Sequence, residues 1–420
     1  MSSTRSLDDW LRLQETVHSQ VIDLGLTRVR GVAQRLGLLP FPARTVIVAG
    51  TNGKGSTVAC LAALLRAHGA RAGAFTSPHL LRYHERIQVD GAQVTDAELI
   101  TAFEAIDAAR DTTTLTFFEY NALAALLVFR ARKVEWAVLE VGLGGRLDAV
   151  NIIDAEAAVV CSIGLDHADW LGIDIEQIGR EKAGVFRPEA LAVIADPQMT
   201  PSVEAEARRI GTRVLKAQRD YHWEEPDATG HWLWSDARAT FTGLERPALP
   251  GQRQFVNAAA AIATLHGLGV ALQPPAINRA LHALQLPGRF QIVPGPVEWI
   301  LDVAHNEPAA QVLAQNLRER ACAGRTWLVA GILGDKDIGA IAATLDPVAD
   351  EWILCGVDAP RGLTAQQLAQ RAPQFASATQ QPDIAAGMQT AAAGAIAGDR
   401  IVVCGSFLTV APALQRLGLY

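Results

Sequence analysis

The sequence predicts an α/β fold built on parallel sheets, and three observations point there. Short apolar runs alternate with longer helical stretches. The runs are continuously apolar, as in strands covered on both faces, and do not alternate as half-exposed strands do. The first of them ends in a glycine-rich loop that leads directly into a helix. The 420 residues are 50% hydrophobic and 19% charged, a balance that excludes a disordered chain. Single cores stop growing near about 250–300 residues, so this length predicts two domains.

Taken in order, the strand-like runs are 45–49, 137–141, 157–163, 191–195, 300–303, 326–330, 351–355 and 400–404. Helical patterns occupy 57–67, 119–130, 308–320, 365–369 and 384–397. An alanine-rich helix at 257–267 and a second at 275–284 precede Leu286-Pro-Gly-Arg289, where a boundary is expected. Residues 221–250 carry Trp223, Trp232 and Trp234 among polar residues and turns, which predicts a small antiparallel insertion. No fixed-period repeat is present in the sequence.

The formal charge of −7 argues against a nucleic-acid partner. Cys60, Cys161, Cys322, Cys355 and Cys404 form no C-x-x-C pair and sit mostly in apolar runs, so buried free thiols in a reducing compartment are expected. The N-terminus lacks an apolar signal region, and no segment reaches the roughly 18 apolar residues of a membrane span. A soluble, cytoplasmic protein is expected.

Val46-Ile-Val-Ala-Gly-Thr-Asn-Gly-Lys-Gly-Ser-Thr57 carries the strongest chemical signal. Backbone N–H groups at such a helix start cradle phosphate oxygens. Lys54 would reach the outer phosphates, and the Ser56 hydroxyl a Mg²⁺ ion. Gly50, Gly53 and Gly55 permit close backbone approach. Val48 stands where the strict motif has its first glycine, and Gly55 follows Lys54 directly.

Glu140 ends an apolar strand in Ala137-Val-Leu-Glu140-Val-Gly-Leu-Gly-Gly-Arg-Leu-Asp148. A carboxylate there is costly unless paired, and that end of a parallel sheet faces the ligand crevice. Glu140 is thus either a Mg²⁺ ligand or a core carboxylate salt-bridged to Arg146. His167 emerges at the corresponding place in Val160-Cys-Ser-Ile-Gly-Leu-Asp166-His167. Ser77, in Phe75-Thr-Ser77-Pro-His79, offers a hydroxyl to a metal, and Arg180-Glu-Lys182-Ala-Gly opens another αβ unit. A cationic lysine near metals and phosphates would repel the metal; carbamylation of Lys182 removes that conflict.

With these stretches in place the chain resembles the Mur-ligase superfamily and, within it, the bacterial dihydrofolate synthase/folylpolyglutamate synthase family. Further matching motifs are Ile22-Asp-Leu-Gly-Leu-Thr-Arg-Val29, Thr116-Phe-Phe-Glu-Tyr120, Asp166-His-Ala-Asp-Trp-Leu171, Phe255-Val-Asn257, Asp302-Val-Ala-His-Asn306, Asp335-Lys-Asp337 and Cys404-Gly-Ser-Phe407. The resemblance implies a P-loop, ATP-binding central domain with an N-terminal extension over 1–287. A smaller Rossmann-like glutamate-ligase domain would follow over 288–420, with the active site between the two.

It further implies that Thr51, Asn52, Gly53, Lys54, Gly55 and Ser56 hold ATP phosphates, and that Asn257, Arg289, Asp302 and His305 serve the nucleotide, His305 also glutamate. Ser77, Glu140, His167 and Ser56 would bind metal, and Lys54, Lys182, His167 and Glu140 would form the catalytic group, with Lys182 carbamylated. Val21, Ile22, Asp23 and Leu24, with Thr116, Phe117, Phe118 and Glu119 and with Leu147, Asp148 and Ala149, would hold the pterin.

The expected activity is ATP-dependent addition of L-glutamate to dihydropteroate and to tetrahydrofolates through an acyl phosphate, by a monomer using two Mg²⁺ ions and a monovalent cation. Alternatives are a folylpolyglutamate synthase only, another Mur-family amino-acid ligase, or a P-loop switch. This chain departs from the family in reading His305-Asn306-Glu307-Pro308, where a His-Asn-Pro order is usual. It also has Asn121 and Val150 in place of a usual Gly and Thr.

Overall fold

The computed structural model describes residues 5–226 and 229–420; the first four residues of the N-terminal reading and 227–228 of the expected insertion lie outside the described residues. The chain forms two compact units. The first comprises Met1–Ile163, Asp174–Pro247 and Phe255–Leu284; the second comprises Gly164–Ile173, Ala248–Gln254 and Gln285–Tyr420. The second unit therefore includes two stretches from within the first 287 residues.

In the first unit an eight-stranded sheet runs in the order β4-β3-β2-β5-β1-β6-β7-β8. Its strands are β1 Arg44–Ala49, β2 Ala72–Phe75, β3 Ile87–Val89, β4 Ala92–Gln93, β5 Trp136–Glu140, β6 Ala157–Val160, β7 Leu191–Ile194 and β8 Arg213–Lys216. The pairs from β2 to β8 are parallel, while β3 and β4 add an antiparallel edge. Central β1, from Thr45 onward, and all of β5 are buried because both faces are covered. The accompanying helices are α1 Leu7–Thr16, α2 Thr27–Arg35, α3 Lys54–Ala67, α4 Asp96–Arg110, α5 Phe117–Ala131, the short α6 Ala168–Leu171 of the second unit, α7 Ile175–Ala183, α8 Pro201–Ile210, α9 Arg253–Gly267 and α10 Pro274–His282.

The insertion is a three-stranded antiparallel sheet of β9 Tyr221–Glu224, β10 His231–Asp236 and β11 Thr240–Glu245. Its tryptophans differ in depth along one face, where Trp223 stands opposite Trp234 in the register. Trp232 and Trp234 are fully buried, and Trp234 donates its indole N–H to the Ala259 carbonyl on α9 at 3.1 Å; Trp223 is half-buried.

In the second unit six strands run in the order β12-β13-β17-β14-β15-β16. They are β12 Gln291–Val293, β13 Glu298–Asp302, β14 Thr326–Ala330, β15 Glu351–Cys355, β16 Thr379–Gln381 and β17 Arg400–Cys404, parallel except for β12. Helices α11 Glu307–Glu319, α12 Ile338–Leu345, α13 Ala365–Ala369, α14 Ile384–Gly394 and α15 Phe407–Arg416 cover this sheet. The five cysteines are free, and all but Cys322 are buried. No helix among the described residues is long and apolar enough to cross a membrane.

Candidate active site

The carboxyl end of β1 turns into the loop at Gly50, whose φ is 148°. Gly53 then caps α3 in a left-handed conformation, φ 87° and ψ −11°. A Cβ on Gly53 would lie 2.9 Å from Asn257 Oδ1, and one on Gly50 would lie 3.0 Å from Cys161 Cβ, so neither position has room for a side chain. Helix α3 begins at Lys54, three residues before the expected start, which places Lys54 and Ser56 in its first turn. Open N–H groups and the positive end of the helix dipole are therefore gathered where a phosphate would sit.

Lys54 Nζ folds back to donate to the carbonyls of Gly50 (3.0 Å) and Thr51 (3.1 Å). Lys182 Nζ donates to that same Gly50 carbonyl at 3.2 Å. Lys182 does not open an αβ unit, as the sequence reading expected; it lies in the last turn of α7 and is 5% exposed. The backbone around it explains the glycines of two motifs. A Cβ on Gly145 would lie 2.8 Å from the Lys182 carbonyl, and one on Gly184 would lie 2.3 Å from Arg146 Cβ.

Glu140 ends β5 and is 4% exposed. Its Oε2 accepts the Ser77 backbone N–H at 3.0 Å. The alternative partner, Arg146, pairs with Glu181 instead, at 2.9 Å. The Ser77 loop is fixed from below, because Glu85 accepts the N–H groups of Leu80 and Leu81 and Arg86 donates to His79 Nδ1 at 2.7 Å. Burial and then the Arg86 charge push the His79 imidazole down to about 4, so it is neutral. Among the described residues no three His, Cys, Asp or Glu side chains form a metal cage. A Mg²⁺ ion held by one carboxylate, hydroxyls and nucleotide phosphates needs none, and the hard oxygens of Glu140, Ser77 and Ser56 suit it.

Two of the three expected pterin segments meet around Gly142. A Cβ on Gly142 would lie 2.5 Å from the Phe118 ring, which also packs on Phe75 with centroids 5.8 Å apart. Asp148, 2% exposed, gathers the N–H groups of Gly142, Leu143 and Val150. Burial lifts its carboxyl to about 6, against the pull of those three N–H groups and the Lys54 charge. Leu147 and Ala149 flank it in the chain, Ala149 buried. Thr116 and Glu119 form the capping box of α5, so the helix starts at Phe117, two residues before its expected beginning. Val21, Ile22, Asp23 and Leu24 lie in the irregular stretch between α1 and α2, with Val21 90% exposed.

The remaining expected residues, His167, Arg289, Asp302 and His305, belong to the second unit. Asp302 ends β13, and its two oxygens accept the N–H groups of Phe290 and Ala304, both at 2.8 Å. Burial raises its carboxyl, opposed chiefly by the Arg289 charge. The Arg289 guanidinium lies 5.4 Å from the Phe407 ring centre. His305 Nδ1 donates to the Val303 carbonyl at 2.8 Å, which turns its Nε2 toward Asp166.

The sequence reading missed Asp166 and Lys336 as a pair. Asp166 takes Lys336 Nζ at 2.6 Å and Asn306 Nδ2 at 2.9 Å, with His305 Nε2 at 3.6 Å. Burial alone would raise the Asp166 carboxyl. The His305 imidazole beside it and the charges of His167 and Lys336 instead hold it far below the ordinary carboxylate range. The sequence signal was present in Asp335-Lys-Asp337, a motif with no assigned role.

Two family models match the chain: the Mur ligase middle domain over residues 48–265 and the Mur ligase glutamate ligase domain over 288–407. The chain is 42% identical over 409 residues to the dihydrofolate synthase/folylpolyglutamate synthase of Escherichia coli, covering 97% of this chain and 95% of that protein. It is similar to the solved structure of Escherichia coli FolC in complex with DHPP and ADP, with TM-score 0.94 and 42% identity, covering 99% and 98% of the two chains. It is also similar to a bifunctional folylpolyglutamate synthase/dihydrofolate synthase with Mn, AMPPNP and L-glutamate bound, with TM-score 0.92, 43% identity and 99% of each chain covered. The glycine-rich loop before a helix start, the strand-end carboxylate and these end-to-end similarities lead to one assignment: the chain belongs to the Mur ligase family and, within it, to the dihydrofolate synthase/folylpolyglutamate synthases.

Proposed function

We propose that the protein is an ATP-dependent ligase that joins L-glutamate to dihydropteroate, giving dihydrofolate, and to reduced folates, giving folylpolyglutamates. The observation that carries this reading is the loop at the end of β1, where Lys54 and Lys182 both donate to the Gly50 carbonyl.

The substrate carboxylate oxygen attacks the γ-phosphorus of ATP, ADP leaves, and an acyl phosphate forms. The glutamate amine then attacks the acyl carbon, and the tetrahedral intermediate expels phosphate as the nitrogen loses its proton. Catalysis on this route is mostly positioning and charge neutralisation. The backbone from Thr51 to Gly55 orients the phosphates, Lys54 leaves its two carbonyls for the outer phosphates, and Arg289 neutralises phosphate charge. Asn257 and Asp302 hold the nucleoside, and His305 serves ATP or glutamate. Ser56, Ser77, Glu140 and His167 would hold Mg²⁺, which when bound neutralises phosphoryl charge.

Two ammonium groups on one carbonyl repel each other. The neutral Lys182 amine adding to CO₂, with loss of a proton, leaves a carbamate anion beside Lys54. The segments 21–24, 116–119 and 147–149 hold the pterin. The reading includes two Mg²⁺ ions, a monovalent cation, a monomeric state and a cytoplasmic location.

The test is nucleotide turnover. ADP should form only with both glutamate and a pterin or folate acid present. Equal ADP formation without them would make the protein a P-loop hydrolase. A panel of dihydropteroate, tetrahydrofolate and its one-carbon derivatives separates two activities from one.

A further inference from the structure

Residues 18–25 link α1 to α2 without regular structure, and among the described residues no backbone-to-backbone hydrogen bond holds them. Side chains do that work, and they converge on one carboxylate. Arg28, in the first turn of α2, donates to Asp23 Oδ2 at 2.6 Å and to the Asp23 carbonyl at 2.7 Å. Its second terminal nitrogen also reaches Glu119 Oε1 at 3.2 Å, 91 residues further along the chain. His18 forms a second leg, with Nε2 3.1 Å from Asp23 Oδ2 and Nδ1 2.8 Å from Thr114 Oγ1.

Glu119 is the fixed end of this arrangement. It is 3% exposed, and its other oxygen, Oε2, accepts the Thr116 N–H at 2.8 Å in the capping box of α5. One carboxylate therefore both starts α5 and anchors the loop. The residues between the two caps are Phe117 and Phe118, whose rings are already seated: Phe117 lies edge-on to Tyr83 at 6.1 Å, and Phe118 against Gly142. Only the loop side, with its exposed Val21, depends on the clasp. A guanidinium suits this task, because its planar fork satisfies several acceptors in fixed directions.

We propose that Arg28 is a positioning residue for the acid substrate: its guanidinium ties the 21–24 segment to the start of α5, so that both present one preformed surface to the pterin. This rests on the reading that these two segments hold the pterin. The benefit lies in preorganisation, since an untethered loop must be ordered at the moment of binding. Arg28 acts through Asp23 and Glu119 and forms no part of the phosphate chemistry.

The test is a titration of full-length wild type, Arg28→Met, Arg28→Lys and Glu119→Gln with dihydropteroate and, separately, with a non-hydrolysable ATP analogue, followed by steady-state kinetics. Arg28→Met should weaken dihydropteroate binding by about tenfold or more and raise its KM alike, with the ATP-analogue affinity and kcat within about threefold of wild type. Arg28→Lys, which keeps the charge and loses the fork, should fall between the two and serves if the methionine variant does not fold. The double variant Arg28→Met/Glu119→Gln should bind no worse than the weaker single one. Unchanged dihydropteroate affinity in a folded Arg28 variant, or equal losses for dihydropteroate and the nucleotide, would overturn the positioning role alone. Failure of the wild type to bind any pterin acid would overturn the underlying reading as well.

Discussion

Lys336 donates to Asp166 at 2.6 Å across 170 residues of sequence, and both side chains are 7% exposed. The segment carrying Asp166 and His167 is thereby fastened to the loop before α12, inside the second unit. Removing one partner of a buried pair leaves the other charge uncompensated. Lys336→Met should therefore destabilise the protein by about 3 kcal/mol in a denaturant melt. Adding Asp166→Asn should restore most of that loss, because the stranded charge is gone. A double variant as unstable as the sum of its parts would show that the pair does not act as a unit.

The left-handed Gly53 predicts a second outcome. Alanine there is strained by a φ of 87° and by the 2.9 Å approach to Asn257 Oδ1. Gly53→Ala should weaken ATP binding by about tenfold or more, measured by calorimetry, with pterin binding little changed.

Asp148 predicts a pH dependence. Its folded value of about 6 stands above the ordinary 3.8, so the fold disfavours its ionised form. The native state holds the proton more tightly than the unfolded chain. This group's contribution is thus most favourable below the ordinary value, declines as pH rises between 3.8 and about 6, and is constant above. The decline is at most about 3 kcal/mol. Asp148→Asn should flatten the stability profile across that window; an unaltered profile would place the titration elsewhere.

Lys182 predicts a chemical rescue. If its carbamate supplies negative charge beside Lys54, Lys182→Ala should lose about two orders of magnitude in kcat. Acetate or formate should restore part of it, and a neutral amide of the same size should not.

Much of the fold was legible because buried parallel strands are written as continuous apolar runs. Strands β14, β15 and β17 fall at 326–330, 351–355 and 400–404, as those runs predict. Edge strands were not legible. β4 is two exposed residues, and β16 is three polar ones, so neither carries a pattern. The starts of α3 and α5 came out late because caps are read from side chains that look like loop, Gly53 before α3 and Thr116 before α5, whereas α13 and α14 begin at 365 and 384 as expected. Within the site, single motifs were legible but their side-chain partners were not. Neither the Glu119–Arg28 contact nor the Lys336–Asp166 pair follows from local spacing, because topology alone brings such distant residues together.

The interleaving of the two units limits how the protein can be divided. The chain enters the second unit at Gly164, leaves it after Ile173, visits it again at Ala248–Gln254 and settles there from Gln285. No single cut separates two self-sufficient pieces. A fragment of residues 285–420 would keep Lys336 and lose Asp166, and it would keep Asn316 while losing Gly251, whose α-carbon packs on that side chain. Grafting a foreign C-terminal unit onto the first unit would require transplanting 164–173 and 248–254 with it. The second unit of this chain is accordingly a set of three separated stretches that must be moved together.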